Sequence, residues 1–103
     1  MPQYQFVETF EVNESGGVVI GRSDEATRYQ PDVDLAACDG REKGVSRRHA
    51  AVVQFRDSLH LIDLHSVNGT FLNDQVLPPD QPYPLGTESN IRLGTLDLKM
   101  IIG

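Results

Sequence analysis

The sequence predicts an all-β domain, either a sandwich or a barrel. Short segments of alternating or continuous apolar residues are separated throughout by Gly, Pro, Asn and Asp, the residues that favour turns. No stretch has a sustained apolar stripe with the 3.6-residue period of a helix, so we expect few helices and only short ones. The chain has 103 residues, of which 39% are hydrophobic. That length supports one core, and we expect residues 1–103 to form a single domain.

The first half of the chain predicts three strands around one long loop. Residues 4–12 alternate in polarity and residues 18–20 are a short apolar run. The connection at 13–17 ends in paired glycines, which favour a hairpin. Residues 23–45 contain only one short strand-like piece, at 33–35. A loop of that length in a small domain is usually functional or disordered.

The second half predicts two hairpins separated by a proline-rich crossing loop. Residues 50–55 and 59–64 are apolar segments joined by a short polar turn, and residues 90–93 and 96–102 form a second pair about Gly94. Prolines between the two hairpins exclude a helix or a central strand there, namely Pro78, Pro79, Pro82 and Pro84.

The net charge of the chain is -6, which disfavours binding to nucleic acids or anionic membranes. The charge is unevenly distributed, because residues 22–48 hold six basic and six acidic side chains. Within residues 41–48, four basic side chains against one acidic side chain leave +3. An acidic chain that concentrates its cations in one segment suggests binding of a small anion there, and an ordinary mixed-charge loop is the alternative.

Cysteine content and hydropathy exclude several other classes. Cys38 is the single cysteine, which excludes an intrachain disulfide and favours a reducing, cytoplasmic compartment. No apolar run is long enough to span a membrane, and the N-terminal residues lack the layout of a signal peptide. Cys38, His49, His60 and His65 lack the paired spacing of zinc ligands, so we expect no metal and no cofactor.

Three short motifs lie at predicted strand ends or in loops. They are Gly21-Arg22, Ser46-Arg47-Arg48-His49, and Ser66-Val67-Asn68-Gly69-Thr70-Phe71 followed by Asn73. In this order and spacing they resemble the forkhead-associated (FHA) domain, a family of phosphothreonine-binding β-sandwiches. The resemblance covers nearly the whole chain. It implies an FHA/SMAD-like sandwich of two mainly antiparallel sheets, with the binding loops at one end.

The same resemblance implies a signalling module that binds phosphothreonine in an extended peptide and has no catalytic activity. A phosphothreonine carries about -1.5 to -2 charges and three acceptor oxygens, so it needs donors that converge. Arg22 matches the family arginine that grips the phosphate with its planar fork, and an ion pair with Asp24 or Glu25 is the alternative. Gly21 would let the backbone turn without crowding that arginine.

The second motif matches the phosphate-binding serine of the family and its neighbours. Ser46 corresponds to a serine whose hydroxyl and backbone N–H both donate to the phosphate, and a turn-capping role is the alternative. Arg47 occupies a position near the phosphate, or is simply solvated. Arg48 is expected to be peripheral, because adjacent residues of an extended segment point to opposite sides. His49 matches a structural histidine whose ring nitrogens hold neighbouring loops.

The third motif matches residues that contact the ligand main chain and shape its loop. Asn68 corresponds to the asparagine that binds the peptide next to the phosphothreonine, and a plain Asn-Gly turn is the alternative. Gly69 would occupy a turn that strains other residues. Thr70 and Phe71 are expected to be structural, with the ring anchoring the loop to the core, and Asn73 to cap the next turn.

Val67 departs from the family pattern. Some members have Thr or Ser at this position, and its hydroxyl adds a donor to the phosphate, whereas a valine offers only its backbone N–H. Arg41 or Lys43 would then compensate, or both are solvated. The resemblance implies a Thr-phosphorylated partner and an upstream Ser/Thr kinase.

Two other functions are compatible with parts of the sequence. Val67 and the net charge leave open a phosphate-independent interaction or oligomerisation domain. Ser46, His49 and Asp63 supply the residue types of a hydrolase triad, but the strand–turn–helix elbow that activates such a serine is absent from the sequence.

Overall fold

A computed structural model of the chain describes residues 6–9 and 17–101, which form ten strands. The strands are β1 (Phe6–Thr9), β2 (Val18–Gly21), β3 (Val33–Asp34), β4 (Arg48–Phe55), β5 (Ser58–Asp63), β6 (Thr70–Leu72), β7 (Gln75–Val76), β8 (Tyr83–Pro84), β9 (Glu88–Leu93) and β10 (Leu96–Ile101). Sheet I has the order β1-β10-β9-β6-β7, and sheet II has the order β3-β2-β4-β5-β8. Two strand pairs, β1–β10 and β2–β3, are parallel and the others are antiparallel. The predicted sandwich of two mainly antiparallel sheets is confirmed.

The core lies between the two sheets and follows the two-residue period of the strands. Ala50 and Val52 on β4 face Ile91 and Leu93 on β9, and all four are buried in one cluster. Val45, which is 2% exposed, joins the same cluster from the long loop. This anchor is important for the site, because Ser46 follows it directly.

Both predicted hairpins of the second half are confirmed. The β4–β5 turn consists of Arg56 and Asp57, whose φ angles are 51° and 65°. Two central residues with positive φ match the right-handed twist of the flanking strands. The β9–β10 turn places Gly94 at φ 64°.

The hairpin predicted across residues 13–17 is wrong in its pairing. β1 does not pair with β2 but runs parallel to β10, so the two N-terminal strands belong to different sheets. The alternating polarity of a strand indicates which face is buried but not which neighbour it pairs with. Residues 4, 5 and 10–16, which complete that prediction, lie outside the described residues.

The long loop at 23–45 is ordered by its own hydrogen bonds. Asp34 at the end of β3 accepts the backbone N–H groups of Ser23 and Ala36 at 2.8 and 3.0 Å. Partial burial acts to raise the pKa of Asp34, but the hydrogen bonds from the Ala36 backbone and from the backbone and side chain of Ser23 together outweigh it and lower the pKa. A 3₁₀ turn at Ala36–Cys38 follows. In the part of the chain that the structure describes, no helix is long and apolar enough to cross a membrane.

Candidate functional site

The C-terminal end of β2 lies directly against the loop that precedes β4. A Cβ atom added to Gly21 would lie 1.8 Å from the carbonyl oxygen of Arg47, so only glycine fits. The next residue, Arg22, donates its backbone N–H to the same carbonyl at 3.2 Å. Gly21 therefore allows the end of β2 to pack closely against the backbone at Arg47. This close packing brings Arg22 beside Ser46.

The side chain of Arg22 is fixed at one of its nitrogens. Its Nε donates to the carbonyl of Val45 at 2.7 Å. The alternative ion pair with Asp24 or Glu25 is not formed, since Asp24 binds Arg47 instead, at 3.3 Å. Within residues 17–100, the Nη1 and Nη2 atoms of Arg22 have no hydrogen-bond partner. A bidentate anion would use both of these atoms.

The two donor groups of Ser46 have different roles. The backbone N–H of Ser46 donates to Nδ1 of His49 at 3.0 Å, so it is already engaged. The Oγ atom accepts the backbone N–H of Val67 at 3.2 Å, which leaves the hydroxyl hydrogen to point elsewhere. Of the two Ser46 donors that the resemblance implies for the phosphate, the N–H is therefore engaged by His49 in this structure and the hydroxyl is available.

His49 is fully buried and links two loops. Because Nδ1 accepts the Ser46 N–H, the ring proton must lie on Nε2, which donates to the carbonyl of Gly69 at 2.8 Å. Burial lowers the pKa of His49, although the Gly69 carbonyl and the negative charge of Asp63 act in the opposite direction. The imidazole is therefore neutral at pH 7 and acts as a structural bridge.

Asp63, which is 4% exposed, organises the loop at 64–69. Its Oδ1 accepts the hydroxyls of Ser66 and Thr70 at 2.5 and 2.6 Å. The hydroxyl oxygen of Ser66 in turn accepts the backbone N–H of Gly69 at 3.1 Å, and Gly69 has φ 91°. The Asp63 carboxylate thus accepts hydrogen bonds from this loop and not from His49. Asp63, His49 and Ser46 therefore do not form the hydrogen-bonded chain of a hydrolase triad.

Asn68 joins this loop to the segment before Ser46. Its Nδ2 donates to the carbonyl of Gly44 at 3.0 Å. Gly44 has φ 82°, and a Cβ atom there would lie 2.6 Å from that same nitrogen. Thr95, in the β9–β10 turn, donates both its N–H and its hydroxyl to the carbonyl of Lys43. The segment is therefore supported from both sheets.

A cleft of about 670 Å³ opens beside Ser46. Its walls are formed by Thr27, Arg28, Tyr29, Ser46, Arg47, Arg48, His65 and Val67. Val67 is 86% exposed, and neither Arg41 nor Lys43 lines the cleft.

Arg48 was expected to be peripheral to the phosphate, and the structure places it in the wall of the cleft beside Ser46. Arg47 lies in a bend before β4 rather than in an extended strand, so adjacent side chains need not point to opposite sides. Both arginines therefore line the cleft. Sequence reasoning also missed Arg28 and His65, whose only signals are a basic residue in the long loop and a histidine next to Ser66.

The position of Phe71 differs from the expectation that its ring anchors the loop to the core. Its neighbours Thr70 and Leu72 are buried between the sheets, whereas Phe71 lies on the outer face of sheet I. There the guanidinium of Arg92 lies 4.8 Å from the ring centroid. The ring therefore does not anchor the loop to the core. Asn73 accepts the backbone N–H of Asn90 at 2.9 Å and ties the β6–β7 turn to β9.

Over residues 6–9 and 17–101, no group of three or more His, Cys, Asp or Glu side chains is placed to hold a metal ion.

The fold and the site together define a β-sandwich binding module whose loops present a basic cleft. The sequence pattern of the FHA domain matches residues 18–94, and the chain belongs to the FHA domain family. FHA domains are generally non-catalytic modules that bind phosphopeptides.

Several relatives support this assignment. The probable E3 ubiquitin-protein ligase dma1 of Schizosaccharomyces pombe is 37% identical over 81 residues, which cover 75% of this chain and 29% of that protein. The chain therefore spans less than a third of this relative.

Solved FHA domains have the same fold. The FhaA FHA domain, solved in complex with the intracellular domain of another protein, is 30% identical with a TM-score of 0.62, and the match covers 85% of this chain and 81% of that one. A second FHA domain, from a study of phosphothreonine-dependent FHA interactions, is 31% identical with a TM-score of 0.61, covering 85% and 77%.

Proposed function

We propose that this domain binds phosphothreonine in an extended segment of a partner protein and has no catalytic activity. Arg22 and Ser46 are the direct phosphate contacts. The observation that carries the proposal is that the backbone segment Val45–Arg47 positions both side chains next to each other. That backbone fixes Nε of Arg22, while the Val67 N–H engages the Ser46 oxygen and leaves its hydroxyl hydrogen free to donate. The study of phosphothreonine-dependent interactions in a related FHA domain supports the same ligand.

The other site residues have supporting roles. Arg47 is half exposed and adds positive charge, which its ion pair with Asp24 partly offsets. Val67 acts through its backbone, since its N–H fixes the orientation of the Ser46 hydroxyl. Asn68 uses one amide hydrogen on Gly44 and keeps its Oδ1 and second hydrogen for the main chain of the ligand.

The expected affinity is modest. Three or four charge-assisted hydrogen bonds contribute about 1.5–3 kcal/mol each, and association costs several kcal/mol, which leaves a Kd on the order of micromolar. Such a module works when a second contact or a high local concentration supports it. Binding also weakens as pH falls through about 6, where the phosphate gains a proton.

Titration of matched phosphorylated and unphosphorylated threonine peptides, followed by calorimetry, tests the proposal. We expect phosphate-dependent binding that Arg22→Ala abolishes and Arg22→Lys weakens, because lysine keeps the charge and loses the fork. Arg56→Asn, at the opposite end of β4, is the control and leaves binding unchanged. The proposal fails if a broad phosphopeptide library yields no phosphate-dependent ligand.

Finer features belong to the same proposal. We place residues 1–103 in one domain, in a reducing cytoplasmic compartment, with a Ser/Thr kinase acting upstream and no contact with nucleic acids or membranes. A preference for threonine over serine requires a contact with the extra methyl group. Equal affinity for phosphothreonine and phosphoserine versions of one peptide would contradict that preference.

A phosphate-independent interaction or oligomerisation domain is the second candidate. The observation in its favour is Val67, an apolar side chain that is 86% exposed at the cleft. If Arg22→Ala left partner binding intact while Val67→Ser weakened it, this second function would replace the first.

A further inference from the structure

The cleft beside Ser46 has a charge that contrasts with the rest of the chain. Three of its eight lining residues are arginines, one is a histidine and none is acidic, whereas the whole chain carries a net charge of -6. A single phosphothreonine held by Arg22 and Ser46 does not account for this, because Arg22 is not among the residues that line the cleft.

The three arginines of the cleft differ in their partners. Arg47 binds Asp24, so its charge is partly compensated. Arg28 and Arg48 have no ion pair among residues 17–100. Both are exposed. Their charges are therefore available to a ligand that reaches beyond Ser46.

Arg28 is presented by a formed turn. Asp24 and Tyr29 exchange two backbone hydrogen bonds, of 3.0 and 3.1 Å, and the hydroxyl of Thr27 donates to the Asp24 carboxylate at 2.9 Å. That hydrogen bond, together with Arg47, lowers the pKa of Asp24. The same carboxylate also binds Arg47, so the turn that carries Arg28 is tied to the segment that carries Ser46.

We propose that Arg28 and Arg48 bind a second anionic group on the same peptide, flanking the phosphothreonine. The group is a carboxylate of Asp or Glu, or a second phosphate, since an exposed guanidinium pairs with either. This inference rests on the proposed function, because the phosphothreonine brings the peptide to the cleft. Arg28 and Arg48 are thus specificity-determining residues outside the phosphate contacts.

The expected effect is moderate because both arginines are exposed. An exposed ion pair changes Kd by up to about fivefold, so two pairs change it by roughly three- to tenfold. Added salt reduces the difference, since exposed charges are screened over about 8–10 Å at ordinary ionic strength.

The experiment compares phosphothreonine peptides with neutral flanks against the same peptides carrying one Glu, moved through successive flanking positions. A third set carries phosphoserine in place of Glu. The readout is the ratio of Kd between neutral and acidic peptides, measured for the wild-type chain and for the double variant Arg28→Asn, Arg48→Gln.

Arg56→Asn is the matched control. Arg28 and Arg56 both have positive φ, 58° and 51°, a conformation that asparagine tolerates. Arg56 follows β4 at the end opposite Arg48, so its substitution removes one charge far from the cleft.

We expect a ratio of roughly three to ten for the wild type and for Arg56→Asn, and a ratio near one for the double variant. A gain with phosphoserine alone assigns the second group to a phosphate, and a gain with Glu assigns it to a carboxylate as well. Phosphate-dependent binding with a ratio near one at every position overturns this inference alone, as does a ratio that persists in the double variant. Loss of phosphate dependence in the neutral peptides overturns the proposed function as well.

Discussion

The two ends of the sandwich are built by different means. At the end opposite the cleft, the β4–β5 connection is two residues long, and the pairing of its own strands closes it. At the cleft end, side chains connect loops that are distant in sequence. His49 joins Ser46 to Gly69, and Asn68 joins its loop to Gly44.

This difference determines how each end responds to substitution. A local turn can change with little effect elsewhere, because its hydrogen bonds remain within one hairpin. Loops that share hydrogen bonds depend on each other, so the loss of one partner leaves a polar group unsatisfied in another loop. We therefore expect the stability of the domain and its phosphopeptide binding to be coupled at the cleft end and separable at the other.

Gly21→Ala should produce the largest effect at the cleft end. The new Cβ atom would lie 1.8 Å from the Arg47 carbonyl, so β2 or the Ser46 segment must move. We expect a loss of about 3 kcal/mol in the free energy of unfolding. Urea denaturation measures it, with Gly86→Ala as control, because a Cβ there meets only Glu88 O, at 3.8 Å. Equal denaturation midpoints for the two variants would contradict the close approach.

Asp63→Ala should have the next largest effect. It removes the buried acceptor of Ser66 and Thr70, leaving two hydroxyls without their partner. We expect a loss of about 2–3 kcal/mol in unfolding free energy, together with weaker phosphopeptide binding. Asp97→Ala, an exposed carboxylate on β10, is the control and should change stability by less than about 0.5 kcal/mol. Unchanged loop chemical shifts in Asp63→Ala would show that the carboxylate does not organise residues 64–69.

The same contrast explains what the sequence could predict. The β4–β5 and β9–β10 hairpins were predicted correctly because turn residues and apolar alternation are local signals. The pairing of β1 with β10 was not, since no local pattern specifies a neighbour some ninety residues away. Arg48 in the cleft escaped prediction for a related reason, because a bend at Arg47 overrides strand alternation.

The binding site also has a part that the sequence predicts and a part that only the structure shows. The sequence motifs identify Arg22, Ser46 and Asn68 by resemblance, and the structure brings their loops together. Which Ser46 donor is free depends on hydrogen bonds to His49 and Val67, and these residues contact Ser46 only in the folded chain. No spacing in the sequence shows that the Ser46 N–H is already engaged.

The pH dependence of stability should report the His49 bridge, with a smaller effect. Burial lowers the pKa of His49 in the folded chain below its ordinary value of 6.5, so the unfolded chain gains the proton first. The contribution is fully present above pH 6.5 and is lost as the pH falls below it. We expect NMR of the imidazole nitrogens to show a neutral ring protonated on Nε2, and urea midpoints to fall from about pH 7 to about pH 5.5. A ring that gains its proton at or above pH 6.5 would contradict the assignment.

The smallest effect should come from replacing Arg56 and Asp57 with Asn-Gly. Both residues have positive φ, which Asn and Gly adopt with less strain. We therefore expect unfolding free energy to stay the same or rise by up to about 1 kcal/mol, and Kd for a phosphopeptide to stay unchanged. Because β4 connects this turn directly to Arg48, the variant tests whether the two ends are independent. A change in Kd of more than about twofold would mean that the distal turn and the cleft are coupled through the strand.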